Sequence, residues 1–233
     1  MVLMKNIYLL HGWTYTTKTW VPVIDILREH QIKVHLLQIP GLTDGTDKTW
    51  TLEAYVQWLK EVLGKEQGVT LVGHSNGGRI ALAFSAAYPE VVEHLVLIDS
   101  AGILPRGARI FLKRKLFWVL AKLGKRVSKS DALRRLLYRI AREKDYAQAS
   151  PAMRKTMKNL LAVDLRPLFK KIQVPTCIIW GEKDTSTPLG DGVLMQKSLP
   201  RSRLVVIPQA NHSPQVSHPQ EVADQIIQEL SSV

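Results

Sequence analysis

A single cysteine, Cys177, is all this chain offers to sulfur chemistry, which excludes an intramolecular disulfide and any multi-cysteine metal cluster. Long apolar runs are missing too. No stretch approaches the ~20 uninterrupted apolar residues that span a bilayer. The first residues carry one lysine and a short apolar run that leads straight into a turn. They lack the apolar length and small-residue cleavage site of a secretory signal and read as a first strand, so the expected compartment is the cytoplasm. Gly (14) and Pro (12) are not enriched, which excludes a collagen-like or low-complexity chain. Acidic side chains are the scarce charge: 20 Asp and Glu stand against 32 Lys and Arg, for a net +12. What is present, 45% hydrophobic and 22% charged side chains over 233 residues, is enough for one sizeable core carrying at most a large insertion.

The charge imbalance is local. Residues 101–171 hold 20 basic and 4 acidic side chains, while the remainder holds 12 and 16. That step in composition marks a boundary. Outside the block, short β-rich runs alternate with amphipathic stretches: strands are expected over 6–10, 33–37, 69–73, 94–98, 176–180 and 203–207. Helices are expected over 20–30, 52–63, 77–88 and 219–230. Several of the strands are almost continuously apolar, as parallel strands covered on both faces are. The alternation implies βαβ units and an α/β fold with a doubly wound, mostly parallel sheet of about six strands. Thr51 supplies a cap oxygen to the second helix and Glu53 an early acidic side chain. The basic block breaks the alternation with two helical patterns, over 113–123 and 131–143. The expected organisation is a core of residues 1–100 and 172–233 with a basic helical lid, 101–171, over the carboxyl ends of the strands, where open α/β sheets bind ligands.

The strongest chemical signal is Gly73-His74-Ser75-Asn76-Gly77-Gly78, between an apolar strand and a helix. It fits the G-x-S-x-G nucleophile elbow. A serine at so sharp a turn needs small neighbours, and the helix N-terminus behind it favours a developing oxyanion. A hydroxyl needs a base and the base an orienting group. Of the seven histidines, His212 is best placed, in a loop after the last strand; His30, His35, His94 and His218 read as structural, and His74 lies beside the serine rather than facing it. The acid is expected between serine and histidine in chain order, at Asp184 in Gly181-Glu182-Lys183-Asp184, with Asp99 as its competitor at the end of the preceding strand. Oxyanion donors are expected from the backbone N–H groups of Asn76 and of Trp13, in the Leu10-His11-Gly12-Trp13 turn; His11 pins that turn. Phe117, Trp118 and Leu137, with Tyr15 and Trp20, are candidate pocket walls.

The segments HGW, GHSNGG, GEKD and NHSP, in this order and spacing, resemble the α/β-hydrolase superfamily over nearly the whole chain, with the basic block where these enzymes carry a helical cap. The cap borders, LVLIDSAGI and DLRPLFKKIQVP, resemble those of the esterase and meta-cleavage-product hydrolase group. The resemblance implies a serine hydrolase with a Ser75–His212–Asp184 triad, acting through an acyl-enzyme on a carboxylic ester or thioester, with no metal or organic cofactor. The superfamily's opening antiparallel strands have no counterpart before His11. Relatives that cleave carbon–carbon bonds usually carry Asn before the serine and Trp after the histidine, whereas this chain has His74 and Ser213. Carbon–carbon hydrolysis is therefore the alternative chemistry, and a low-turnover binding or signalling protein the alternative class. The basic lid implies an anionic partner, an acyl carrier protein or an anionic lipid surface, or a carboxylated substrate. The HGW turn with such a lid also resembles the pimeloyl-carrier methyl esterases. Nucleic acid is not expected, because no binding motif accompanies the charge.

Overall fold

The computed structural model describes residues 6–104 and 149–231. The patterns expected over 113–123 and 131–143, with Phe117, Trp118 and Leu137, lie outside the described residues. Among the described residues six strands form one sheet: β1 (Asn6–Leu10), β2 (Lys33–Leu36), β3 (Val69–His74), β4 (Val92–Ile98), β5 (Thr176–Gly181) and β6 (Ser202–Ile207). Their order is β2-β1-β3-β4-β5-β6, and every neighbouring pair is parallel. The first crossover runs outward from β1 to β2. The next returns past β1 to β3, so the winding reverses between β1 and β3. That crevice is where an open sheet accepts ligands.

Alternation along each strand divides two cores. Tyr8, Leu10, Leu71, Leu95, Leu97, Ile178 and Trp180 join one cluster. Ile7, Leu9, Val72, Val96, Ile98, Cys177 and Ile179 join the other. Both sides of β1, β3, β4 and β5 are thus buried, which is why their sequences read as continuous apolar runs rather than as alternating ones. Helices α1 (Val21–Glu29) and α8 (Pro219–Ser231) cover the second cluster; α2 (Leu52–Leu63), α3 (Asn76–Ala87) and α6 (Leu189–Ser198) cover the first. Thr51 caps α2 as expected, its hydroxyl accepting the Ala54 N–H at 3.2 Å. Helix α6 escaped the sequence pattern because Gly190 and Gly192 weaken its periodicity. Gly192 is needed there: a Cβ would come within 2.7 Å of the Trp180 ring.

The carboxyl-terminal part of the basic block is described. It forms α4 (Pro151–Leu161) and a single turn, α5 (Arg166–Phe169). Ser150 caps α4 by accepting the Met153 N–H at 3.2 Å, with Pro151 at the first helical position. Met153, Leu160, Leu165 and Phe169 are buried in the first cluster beside the strand residues. Arg79, itself buried on α3, holds this segment by its guanidinium: Nη1 donates to Leu160 O at 2.7 Å and to Val163 O at 3.0 Å. Burial lowers the Arg79 pKa to about 10, opposed by nearby Asp164, so it remains cationic and meets one carbonyl in the last turn of α4 and one just beyond it. We expect Arg79→Met to cost about 1.5–3 kcal/mol in denaturant unfolding, the worth of charge-assisted bonds to buried acceptors. Among the described residues, no helix is long and apolar enough to cross a membrane.

Candidate active site

The chain turns sharply at Ser75, between β3 and α3. Its φ of 50° and ψ of −113° lie outside the regions open to an L-residue without strain. Three glycines permit the turn. A Cβ on Gly73 would stand 2.6 Å from Gly78 Cα, and one on Gly77 would run into the Leu10 carbonyl and approach His11 O to 2.6 Å. One on Gly78 would run into Ser100. The elbow is therefore wedged between the ends of β1 and β4, with α3 starting directly behind the hydroxyl.

His212 reaches it from the loop after β6. Its Nε2 lies 2.9 Å from Ser75 Oγ and its Nδ1 2.7 Å from Asp184 Oδ2. A carboxylate only accepts, so Nδ1 carries the hydrogen, and Nε2 presents its lone pair to the serine O–H. Asp184 is saturated with donors: Ser186 N–H at 2.7 Å and Thr187 N–H at 3.1 Å on Oδ1, with the Thr187 hydroxyl at 2.6 Å and His212 on Oδ2. Burial by itself raises the carboxyl pKa, but the bonds from His212, Thr187 and Ser186 outweigh it, and the net displacement is downward. Asp184 is thus held ionised beneath the imidazole, its side chain fully buried, while the ring is 28% exposed and open to a substrate.

Two loops have to meet for this, and backbone contacts make them meet. Gly181, at the end of β5, packs so closely on residues 210–211 that a Cβ would stand 2.8 Å from Ala210 O. Lys183 N–H donates to Ala210 O at 2.8 Å, and Glu182 Oε2 accepts the Gln209 N–H at 2.9 Å. The Lys183 ammonium also bonds Gln209 Oε1. Glu182 and Lys183, present in the sequence only as filler of GEKD, are the stitches between acid loop and histidine loop. Thr187 was missed for the same reason: nothing in the sequence announces a hydroxyl that fastens Asp184.

His74 also does more than the sequence allowed. Its Nε2–H donates to His212 O at 2.7 Å, tying the elbow to the histidine loop. Burial, with His212 close by, pushes its pKa down to about 3, so the ring is neutral and fit for that bond. Gly12 lies flat against this pair, where a Cβ would be 2.7 Å from His74 Nδ1 and 3.2 Å from Ser75 Cβ. The turn carrying Trp13 therefore abuts the serine. It is pinned as expected by His11, whose Nδ1–H donates to Gly12 O at 2.8 Å while Nε2 accepts from Thr43 Oγ1 at 2.9 Å. Among the described residues, no hydrogen bond occupies the N–H of Trp13 or of Asn76. Trp20 is no pocket wall: it is 1% exposed in the second core, edge-on to His74. Tyr15 instead borders a hollow of about 510 Å³ with Leu42 and Met153.

The remaining histidines sit as structural residues. His35 stacks on Tyr8, His30 Nδ1 bonds Ile26 O, His94 lies buried 3.6 Å from Glu229, and His218 Nδ1 bonds the Ser217 hydroxyl. Asp99, the competing acid, does not contact Nδ1; its Oδ1 accepts the Gly181 N–H at 2.8 Å. His74, Asp99 and His212 bring potential ligand atoms within 4.8 Å of one another. Both nitrogens of His212 and Nε2 of His74 are already in hydrogen bonds, so this cluster is a polar network, and we assign it no metal.

A model of the alpha/beta hydrolase fold family matches residues 5–219. Two similar curated proteins are pimeloyl-[acyl-carrier protein] methyl ester esterases. That of Nitrosomonas europaea is 27% identical over 93% of this chain and 92% of its own, and that of Aeromonas hydrophila 26% identical over 93% and 91%. Among solved structures, a hydrolase from Oleispira antarctica has a TM-score of 0.77 at 20% identity, covering 98% of this chain and 92% of its own. An esterase from Exiguobacterium antarcticum has a TM-score of 0.74 at 20% identity, with the same coverage.

Proposed function

Because this chain belongs to the alpha/beta hydrolase fold family, we propose that it is a serine hydrolase that cleaves a carboxylic ester or thioester through an acyl-enzyme, with Ser75, His212 and Asp184 as its triad. The observation that carries the reading is the unbroken line of hydrogen bonds from Asp184 through the imidazole to the Ser75 hydroxyl. In the first step Ser75 Oγ attacks the carbonyl carbon as its proton passes to His212 Nε2. The imidazolium is held by ionised Asp184, and the oxyanion is met by the N–H of Trp13, in the turn after β1, and that of Asn76, at the start of α3. Collapse expels the alcohol or thiol, which takes the proton from Nε2. Water then repeats the sequence on the acyl-enzyme and frees the acid. The hollow beside Tyr15, Leu42 and Met153 is the proposed seat of the acyl chain; loop 40–44 that borders it is tied to the oxyanion turn through Thr43 and His11.

The proposal keeps residues 101–171 as the lid and the cytoplasm as the compartment. It takes a carrier-linked acyl ester as the substrate class and an acyl carrier protein as the anionic partner of the basic block. The names of the curated relatives favour this over a lipid surface, while the 20 basic against 4 acidic side chains of that block suit either anionic partner. A fluorophosphonate probe is expected to give one covalent adduct, on Ser75, read by mass spectrometry of the digest. Labelling that persists in Ser75→Ala, or an absence of labelling in the unsubstituted protein, would remove the enzyme reading. Affinity for a carrier-linked methyl ester should fall steeply between low and physiological salt, because charges at an exposed interface are screened over ~8 Å at 0.15 M. Salt-independent binding in a titration would remove the carrier.

A further inference from the structure

Asp99 stands where the mechanism has no use for it. It directly follows β4, beside the strand that leads to Asp184, and its backbone adopts a φ of 42°, rare for a residue with a side chain. The side chain is fully buried. Oδ1 accepts the Gly181 N–H at 2.8 Å, while Oδ2 is enclosed with no hydrogen-bond partner among the described residues. Native interiors seldom leave a carboxyl oxygen so, because the desolvation goes uncompensated. One Asp99 oxygen lies within 4.8 Å of a ring nitrogen of His212 and of His74. Strand β5 and the acid loop after it are fastened to Asp99 as well: the Asp99 N–H donates to Ile179 O, and its carbonyl lies 3.1 Å from the Thr187 hydroxyl that bonds Asp184.

We propose that Asp99 is a second acid of the relay, a positioning residue whose carboxylate balances the imidazolium of His212 from the β4 side and accepts the Nδ1 hydrogen when Asp184 is lost. The inference rests on the triad reading above. No proton is routed through Asp99; the serine proton still passes to Nε2 and on to the leaving group. What changes is the charge around the ring. With Asp184 alone, imidazolium and carboxylate form one pair. With Asp99 ionised as well, the positive charge is stabilised from two strands in a water-poor site, where such pairs act most strongly.

The groups that face Asp99 are His212 and Asp184 from the two loops, His74 from β3, and the Gly181 N–H. Burial raises its pKa to about 7, the Gly181 bond opposes this, the Asp184 charge adds to it, and His212 opposes it. A carboxyl whose folded pKa lies above the unfolded value near 3.8 contributes its full stability below that value. The contribution is lost as pH rises towards about 7. Asp99 therefore weakens the fold at and above neutral pH, as a residue kept for chemistry does and a residue kept for packing does not.

The test measures the rate of fluorophosphonate labelling of Ser75, from pH 5.5 to 9, in the unsubstituted protein, Asp99→Asn, Asp184→Asn and the double variant. Thermal unfolding is followed in parallel. Asp99→Asn should slow labelling about tenfold, lose a rising limb near neutral pH, and be at least as stable at pH 8. Asp184→Asn should retain a rate about ten- to a hundredfold above that of the double variant, the size of coupling seen between contacting groups. Asp99→Gly, which suits the positive φ, repeats the measurement if the asparagine variant folds poorly. Equal rates for Asp184→Asn and the double variant, or an unchanged pH profile in Asp99→Asn, overturn the inference while leaving the triad standing. No labelling of the unsubstituted protein overturns both.

Discussion

Ser75→Ala is expected to lower kcat on a p-nitrophenyl ester by about 10⁴–10⁶, and His212→Ala by a similar factor. The two side chains share one hydrogen bond of 2.9 Å, and in the proposed mechanism neither works without the other. On that reading, without the hydroxyl there is no nucleophile, and without Nε2 nothing removes its proton as the bond to carbon forms. The double variant should therefore be hardly slower than either single one. The residual rate belongs to the oxyanion donors and binding alone. A sum of the two losses in the double variant would mean that the residues act separately. Stability should move the other way. At φ 50° and ψ −113° Ser75 holds strain of about 1–3 kcal/mol, which glycine does not feel in the same degree. Ser75→Gly should thus abolish turnover and raise the unfolding midpoint, and a fall in that midpoint would count against a strained elbow.

Gly77→Ala carries the second large effect, this time on the fold. The added methyl would collide with the Leu10 carbonyl and press on His11 O, both backbone atoms. Leu10 is paired with Gly73 across β1 and β3, so neither strand can retreat without breaking the ladder beside the elbow. We expect a loss of about 3–5 kcal/mol, as for other severe steric conflicts in a core, and a midpoint lower by roughly 6–20 °C for a chain of this size. Esterase activity should fall further than the folded fraction does, because the displaced turn carries the Trp13 N–H. Gly190→Ala is the internal comparison. It also adds a methyl to a helical glycine, but nothing lies within 4 Å, so the change should be neutral or stabilising. If the two variants unfolded together, the tight fit at the elbow would be wrong.

Much of this was legible beforehand because it is written locally. Six strands were readable within a residue or two because their β-rich runs are bounded by turn residues, and the four that are buried on both faces read as nearly continuous apolar runs. The elbow was readable because the turn demands small residues at fixed offsets, and Gly73, Gly77 and Gly78 meet that demand. His212 and Asp184 were readable only in company, from their order and from the strands that they follow. Helix α6 was not readable, since two glycines flatten its pattern and the reason for one of them is the Trp180 ring. Pro151–Leu161 was absorbed into a charge count, although Ser150 and Pro151 mark its start.

By itself the sequence determined the layered fold, the serine and the kind of partner it requires, because secondary structure and turn sterics depend on neighbours along the chain. Only the tertiary structure decided what surrounds the relay. It chose Asp184 over Asp99 as the partner of Nδ1, and it turned His74, Glu182, Lys183 and Thr187 into supports for two distant loops. It also left one oxygen of Asp99 buried without a hydrogen-bond partner among the described residues. These roles depend on distances between residues far apart in the chain, which the crossovers of a parallel sheet set and no local pattern records.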